Sequence, residues 1–341
     1  MAESADAEAS KAFTRKGVWV QLPLRARCNF YEVTDQSTLP VRDDLVALFP
    51  GQGSLSGGAG TAWRESTHWP LVERISDLSG IDVESLLTTA SDEEVVRTDR
   101  AQIATFALSL LSYHDLLDVG LRPRYLLGHS LGEFSALVAS GLLSVDDGAR
   151  LISVRGAAMA RAAHAASGSM VALMGGDEGA LEALDSLDGV WVANINGTGQ
   201  IVVSGTDAGL GDLLERHREL GWRRATALAV GGAFHSPLMA PAQRELDEAL
   251  ANVTWGSTQA TLIANVDGRV HTAPSEWREL LSRQLTSPVQ FLDATLALPD
   301  TVTTSVELAP SGTLTGLTKR IRSFDGQFAP ASLHELQEMN L

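Results

Sequence analysis

The stretch LLGHSLGEFSAL, residues 126–137, constrains this chain more than any other. An apolar pair runs straight into Gly-His-Ser-Leu-Gly and then into an amphipathic helical run. A short buried strand that turns at once into a helix fits an α/β fold and is the context that a nucleophile elbow requires. Gly128 and Gly132 leave room for the strained turn and for close strand–helix packing. The hydroxyl of Ser130 would stand at a helix N-terminus, where backbone N–H groups can stabilise an oxyanion. The same spacing also occurs in ordinary strand-to-helix turns, so the motif leaves Ser130 as either a nucleophile or a plain turn serine.

The flanking sequence extends the α/β pattern. LVALF (45–49) reads as an apolar strand ending in the turn PGQGS (50–54), QIATFALSLLSYHDLLD (102–118) as a helix, and YLLG (125–128) as a second strand. SVDD (144–147) has the form of a capping box, with Ser144 as N-cap and Asp147 three residues on, and opens a helix through Arg155 towards Ala165. A distinct module follows. Strands at 170–176, 190–197, 200–205 and 225–230 alternate with helical stretches at 178–187 and 207–220, in the order β-α-β-β-α-β of a ferredoxin-like unit. Helix 238–252, strand 261–266, helix 275–285 and strand 304–310 then restore the first pattern. The expected fold class is therefore α/β, a large α/β-hydrolase-like domain (45–165 plus 231–325) with an inserted ferredoxin-like small subdomain (166–230). Residues 1–44 read as an arm outside the catalytic fold, partly disordered, or as the product of a misassigned upstream start; residues 326–341 read as a tail.

Two side chains stand out against this frame. His235, in GGAFHSPLM, follows a double glycine and precedes Ser-Pro where the small module rejoins the large one. A histidine there can project into a cleft as the base a nucleophilic serine needs, or remain an exposed loop residue. Arg155 shares a helical stripe with Ile152, Met159 and Ala162 by i, i+3, i+4 spacing. The other members are apolar, so the guanidinium points inward, which is costly unless an anion meets it. That anion is either an internal Asp or Glu or a carboxylate of the substrate. In PGQGS, the turn around Gln52 can aim a backbone N–H at a ligand; it lacks both the dinucleotide-binding and the P-loop spacing.

Composition removes other classes. A net charge of −16 disfavours nucleic acid, whose phosphates call for a basic face. No apolar stretch reaches the length of a membrane helix, and the acidic N-terminus does not resemble a targeting peptide. One cysteine, Cys28, excludes a disulfide framework and a Cys-rich zinc site and fits a reducing cytoplasm.

Taken in order, LFPGQGS (48–54), GHSLGE (128–133), SVRGAAM (153–159), NINGTGQIVVSG (194–205), GAFHSPLM (232–239), RQLTSPVQF (283–291) and VELAPSGTLTGLTKR (306–320) resemble the malonyl-CoA:acyl carrier protein transacylase family and the acyltransferase domains of polyketide synthases. The resemblance spans about residues 45–322. It implies a cytoplasmic, monomeric acyltransferase that passes malonyl from malonyl-CoA to an acyl carrier protein, for fatty-acid or polyketide synthesis, with no cofactor and no metal. It further implies Ser130 as the acylated nucleophile, His235 as its base, and a main-chain carbonyl orienting that base, assigned to Gln290 ahead of Gln284. Backbone N–H groups of Gln52 and Leu131 would form the oxyanion hole, and Arg155 would pair with the malonyl carboxylate. Gln102, His129, Met159 and Asn196 match pocket-lining positions, and Phe234 matches the malonyl-preferring pattern. Because carrier proteins are acidic, a local basic rim is needed, and Arg223, Arg224, Lys319 and Arg320 are the candidates, with ordinary solvated charges as the alternative. A serine thioesterase and a methylmalonyl-selective transferase are the competing readings.

Overall fold

The computed structural model describes residues 39–339 together with two short strands, Lys11–Phe13 (β1) and Trp19–Gln21 (β2), which pair antiparallel. The sequence reading of the arm over residues 1–38 otherwise lies outside the described residues.

Two sheets organise the rest. The larger is built around the apolar strand Val41–Phe49 (β3), whose last five residues are fully buried. Arg122–Gly128 (β4) pairs parallel on one side of it and Thr304–Glu307 (β11) parallel on the other. Thr261–Ile263 (β9) extends the sheet beyond β4, with the two-residue strand Val270–His271 (β10) antiparallel at that edge. Gly326–Phe328 (β12) closes the other edge, parallel to β11. Helices cover the sheet. The helix Thr98–Asp118 is buried on nearly every side, which explains why its apolar residues show no single polar face.

Two boundaries differ from the sequence expectation. β3 begins at Val41, inside the segment read as an arm, because its first residues are charged and include the Arg42–Asp44 ion pair, outside the apolar run. Residues 326–341 are not simply a tail: β12 adds a sheet edge, and Leu336 on the helix Leu333–Gln337 is fully buried. A three-residue strand is too short to show periodicity.

The smaller sheet holds Gly168–Met174 (β5), Val190–Gly197 (β6), Gln200–Thr206 (β7) and Arg224–Ala227 (β8) in spatial order β6-β7-β5-β8, all antiparallel. Alternation sorts its residues. Val171, Leu173, Ile201 and Val203 meet the helices Glu178–Ala183 and Asp207–Arg216 around Trp222 in a separate core. Met170 and Val202 point the other way and line a cavity. The segment before residue 290 ties the two sheets together, with Ile195 N–H donating to Val289 O (2.9 Å) and Val289 N–H to Ala193 O (2.8 Å). The carboxyl ends of β3 and β4, where the chain leaves a parallel sheet, open onto this cavity, the usual location for a site in such folds.

Candidate active site

The turn after β4 is built by backbone strain and missing Cβ atoms. Ser130 has φ 53° and ψ −106°, and the helix Leu131–Ala139 starts immediately after it. Among the described residues, only Ser130 and His235 (φ 57°) combine a side chain with positive φ. Such positions cost of order 1–3 kcal/mol and persist only where surroundings over-determine them. Here Ser130 N–H donates to Asn265 Oδ1 (2.6 Å), and Ser130 C=O accepts from Gln284 Nε2 (2.9 Å) and Glu133 N–H (3.1 Å). A Cβ on Gly132 would sit 1.9 Å from Phe49 O, and one on Gly128 2.1 Å from the Gly132 carbonyl carbon. Glycine is required at both positions.

The strained serine faces the strained histidine. Ser130 Oγ lies 2.7 Å from His235 Nε2, and His235 Nδ1 lies 2.8 Å from Gln284 O. Nδ1–H therefore donates to the carbonyl, leaving the Nε2 lone pair to accept the serine proton. Burial, reinforced by the nearby charge of Arg155, pushes His235 down to about 3, so the ring is a neutral acceptor near pH 7. The orienting carbonyl belongs to Gln284, not Gln290. Gln284 ends the helix Pro274–Gln284, so its carbonyl has no intrahelical donor, whereas Gln290 O accepts from Ala294 N–H (2.9 Å) at the start of the next helix.

Arg155 lies behind the serine and is 1% exposed. No carboxylate approaches its guanidinium within 4.0 Å among the described residues. Nη1 donates to Gln102 Oε1 (2.6 Å); Nη2 donates to Ser130 Oγ (3.0 Å) and Gln284 Oε1 (2.9 Å). The Phe134 ring lies 5.4 Å from its Cζ, and Nε has no partner. Burial pulls this arginine down to about 9. The internal salt bridge left open by the sequence is thus absent: a buried cation ends on neutral acceptors beside the serine hydroxyl.

A cavity of about 460 Å³ opens over Ser130 and His235, lined by strands of the small sheet and by the turns that follow β3 and β4. The acyl transferase domain profile matches residues 46–329, which includes every residue of this constellation. This chain belongs to the acyl transferase domain family. It is 37% identical over 287 residues to the malonyl CoA-acyl carrier protein transacylase of Bacillus subtilis, covering 81% of this chain and 90% of that protein. The crystal structure of MCAT from Mycobacterium tuberculosis superposes with a TM-score of 0.79 at 36% identity, over 86% of this chain and 99% of that one. A type II PKS acyl-carrier protein in complex with its malonyl-transacylase (PlMCAT:AntF, holo) gives a TM-score of 0.80 at 30% identity, covering 86% and 97%.

In this acyl transferase, His129, Met159, Asn196, Phe234 and Gln52 line the cavity with Ser130 and His235. His129 Nε2 bonds Asn196 Oδ1 (2.9 Å). Gln102 does not line it: fully buried behind the wall, its Nε2 donates to Gln52 Oε1 (3.1 Å) and Met159 Sδ (3.3 Å) while its Oε1 receives Arg155. Leu131 and Gln52 open a helix and a 3-10 turn respectively, so the N–H of each lacks an intrahelical acceptor. The four candidate cations are exposed around one end of the small sheet. Arg320 donates to Gln200 Oε1 (2.8 Å), Gln200 pairs with Met174, and Met174 pairs with Arg224 and accepts from Arg223 N–H (3.1 Å). Three adjacent strands thus separate the Gln200 and Arg224 backbones by about 10 Å, and Lys319 follows the cavity-lining Leu317 by two residues.

Asn265 and Glu133 are working parts that the sequence reading passed over. Asn265 Nδ2 holds Gly128 O (2.7 Å) while its Oδ1 holds Ser130 N–H; a polar residue just past the strand TLI was the available signal. Glu133 accepts from Asn265 N–H (2.7 Å) and from Gln284 Nε2. The group with metal-ligand chemistry, His68, Asp115 and Asp118, sits away from the cavity lining, with its side chains already bonded: His68 to Asp118 (2.7 Å) and Ser66 to Asp115 (2.7 Å).

Proposed function

We propose that this protein is a malonyl-CoA:acyl carrier protein transacylase that moves malonyl through Ser130 to the phosphopantetheine thiol of a carrier protein in fatty-acid synthesis. The observation that carries the malonyl assignment is Arg155, a buried guanidinium with no carboxylate within 4.0 Å among the described residues, 3.0 Å from the serine hydroxyl. Only a short acyl chain with a free carboxylate brings an anion within reach once it is joined to that oxygen.

The mechanism follows from the hydrogen bonds. His235 Nε2 takes the Ser130 proton as Oγ attacks the thioester carbonyl, while Nδ1–H on the Gln284 carbonyl fixes the tautomer. The N–H groups of Gln52 and Leu131 serve as the oxyanion hole. His235 then returns the proton to the departing CoA sulfur. In the second half the carrier thiol gives its proton to His235, attacks the malonyl-serine ester and restores Ser130. No cofactor enters either half. A hydrolase of the Ser-Asp-His type would place a carboxylate on Nδ1, where this chain has a main-chain carbonyl.

Further parts of the reading rest on specific placements. Phe234 on the cavity wall disfavours an added α-methyl, which supports malonyl over methylmalonyl. The rim of Arg223, Arg224, Lys319 and Arg320 suits the acidic face of a carrier. The β-α-β-β-α-β order and antiparallel β6-β7-β5-β8 arrangement support a ferredoxin-like subdomain on a hydrolase-like larger one. Among the described residues no helix is long and apolar enough to cross a membrane, which suits work in the cytoplasm. The test is transfer of malonyl from malonyl-CoA to a holo-carrier protein: activity that survives Ser130→Ala would reject the mechanism.

A further inference from the structure

Glu133 is 2% exposed and does not itself line the cavity, yet two paths from its carboxylate run to the reacting pair. Its Oε1 accepts from Asn265 N–H (2.7 Å), and the Asn265 side chain holds Ser130 N–H and Gly128 O. Its Oε2 accepts from Gln284 Nε2, which also donates to Ser130 C=O, while the Gln284 carbonyl orients His235. Ser130 is thus held at both ends of its own peptide units, in a conformation that costs energy, by two residues that Glu133 anchors.

We propose that Glu133 is a positioning residue whose ionised carboxylate, by accepting from Asn265 and Gln284 at once, keeps Ser130 and His235 in register for acyl transfer. This rests on the acyl-transfer reading and concerns the loading step common to all acyl groups, not the recognition of malonyl.

Only a carboxylate meets both demands. A glutamine at 133 offers one acceptor, and its NH2 group would face another donor. Protonation has the same consequence, since one oxygen becomes an O–H directed at a donor. The charged groups around Glu133 are Arg155, on the helix Val145–Ala165, and Asp267, in the turn after β9. Burial, assisted by Asp267 and opposed by the bonds from Asn265 and Gln284 and by the charge of Arg155, pushes Glu133 up to about 7. His235, behind the Gln284 carbonyl, is held down near 3, so its own titration contributes no loss of activity close to neutrality.

The test is single-turnover loading of Ser130 from malonyl-CoA and, separately, from acetyl-CoA, followed by quenched-flow mass spectrometry across pH. Wild-type loading is expected to fall as pH drops from about 8 to about 6 with either thioester. Glu133→Gln is expected to load both roughly 10- to 100-fold more slowly, with that acid limb gone. Loading by a folded Glu133→Gln protein at the wild-type rate, or a loss confined to malonyl-CoA, would overturn the proposal. If that variant does not fold, the wild-type profile decides: a rate that is flat over the same range overturns it. Wild-type protein that takes up no acyl group from either thioester would instead reject the acyl-transfer reading, and this inference with it.

Discussion

Replacing Arg155 with alanine separates recognition of the acyl group from the chemistry at Ser130. The guanidinium is buried, has no carboxylate within 4.0 Å among the described residues, and reaches Ser130 Oγ at 3.0 Å. A malonyl carboxylate at that position would form a desolvated, hydrogen-bonded charge pair. Truncating one member of such a pair costs about 2–5 kcal/mol. At 1.36 kcal/mol per tenfold, this is roughly 30- to 5,000-fold in the malonyl-CoA rate constant. The variant also loses the bonds to Ser130, Gln102 and Gln284, but that loss is shared by every acyl group and cancels in a ratio. The bond to Oγ, moreover, draws electron density from the nucleophile, so its removal offsets that shared loss for an acyl group without a carboxylate. Arg155→Ala is therefore expected to lose malonyl-CoA activity and to keep or gain acetyl-CoA activity. Measuring kcat/KM for both thioesters with one carrier protein tests this. Equal losses on both would show that Arg155 supports Ser130 and does not receive the substrate carboxylate.

Gly132→Ala should abolish loading, because its Cβ would fall 1.9 Å from Phe49 O, backbone that cannot yield without moving β3; comparing acyl-adduct formation with the melting temperature shows whether the turn or the whole fold is lost. Reversing the rim charges with Arg223→Glu and Arg320→Glu should slow transfer to the carrier far more than loading from malonyl-CoA, and raised ionic strength should mimic the effect in the wild type. The stability of the wild type should carry an acid-side loss from His235. Its native value, about 3, lies below the 6.5 of an unfolded histidine, so the unfolded chain alone binds that proton between them and stability falls as pH drops below about 6.5. Between pH 7 and pH 5 this contribution is about 2 kcal/mol. Urea melts at the two pH values should show a smaller difference in His235→Asn.

The parts of the site that the sequence revealed are those set by local periodicity and sterics. Gly-His-Ser-Leu-Gly between an apolar run and a helix specified the turn at Ser130 because its glycines answer contacts within a few residues and with the adjacent strand. The inward Arg155 followed from helical spacing, and Ile152, Arg155, Met159 and Ala162 are all buried. What the sequence could not indicate depends on how separate elements dock. Choosing between Gln284 and Gln290 required knowing which helix ends with a free carbonyl aimed at His235. Gln102 matches a pocket position, yet its side chain serves Arg155 and Gln52 from behind the wall. Asn265 is joined to Ser130 across 135 residues of chain and to the Glu133 carboxylate across 132, separations that no local pattern encodes. The start of β3 and the edge strand β12 escaped for the opposite reason: charged or very short strands carry too little apolar alternation to register.

The proposed transfer turns on Ser130 briefly carrying a malonyl group. Intact-mass spectrometry of the protein mixed with malonyl-CoA, then with a holo-carrier protein, tests it most directly. Wild-type protein should gain one malonyl adduct and Ser130→Ala none, and the adduct should disappear with equal gain of mass on the carrier. An adduct that persists in Ser130→Ala, or free malonate in place of a loaded carrier, would contradict the proposed transfer.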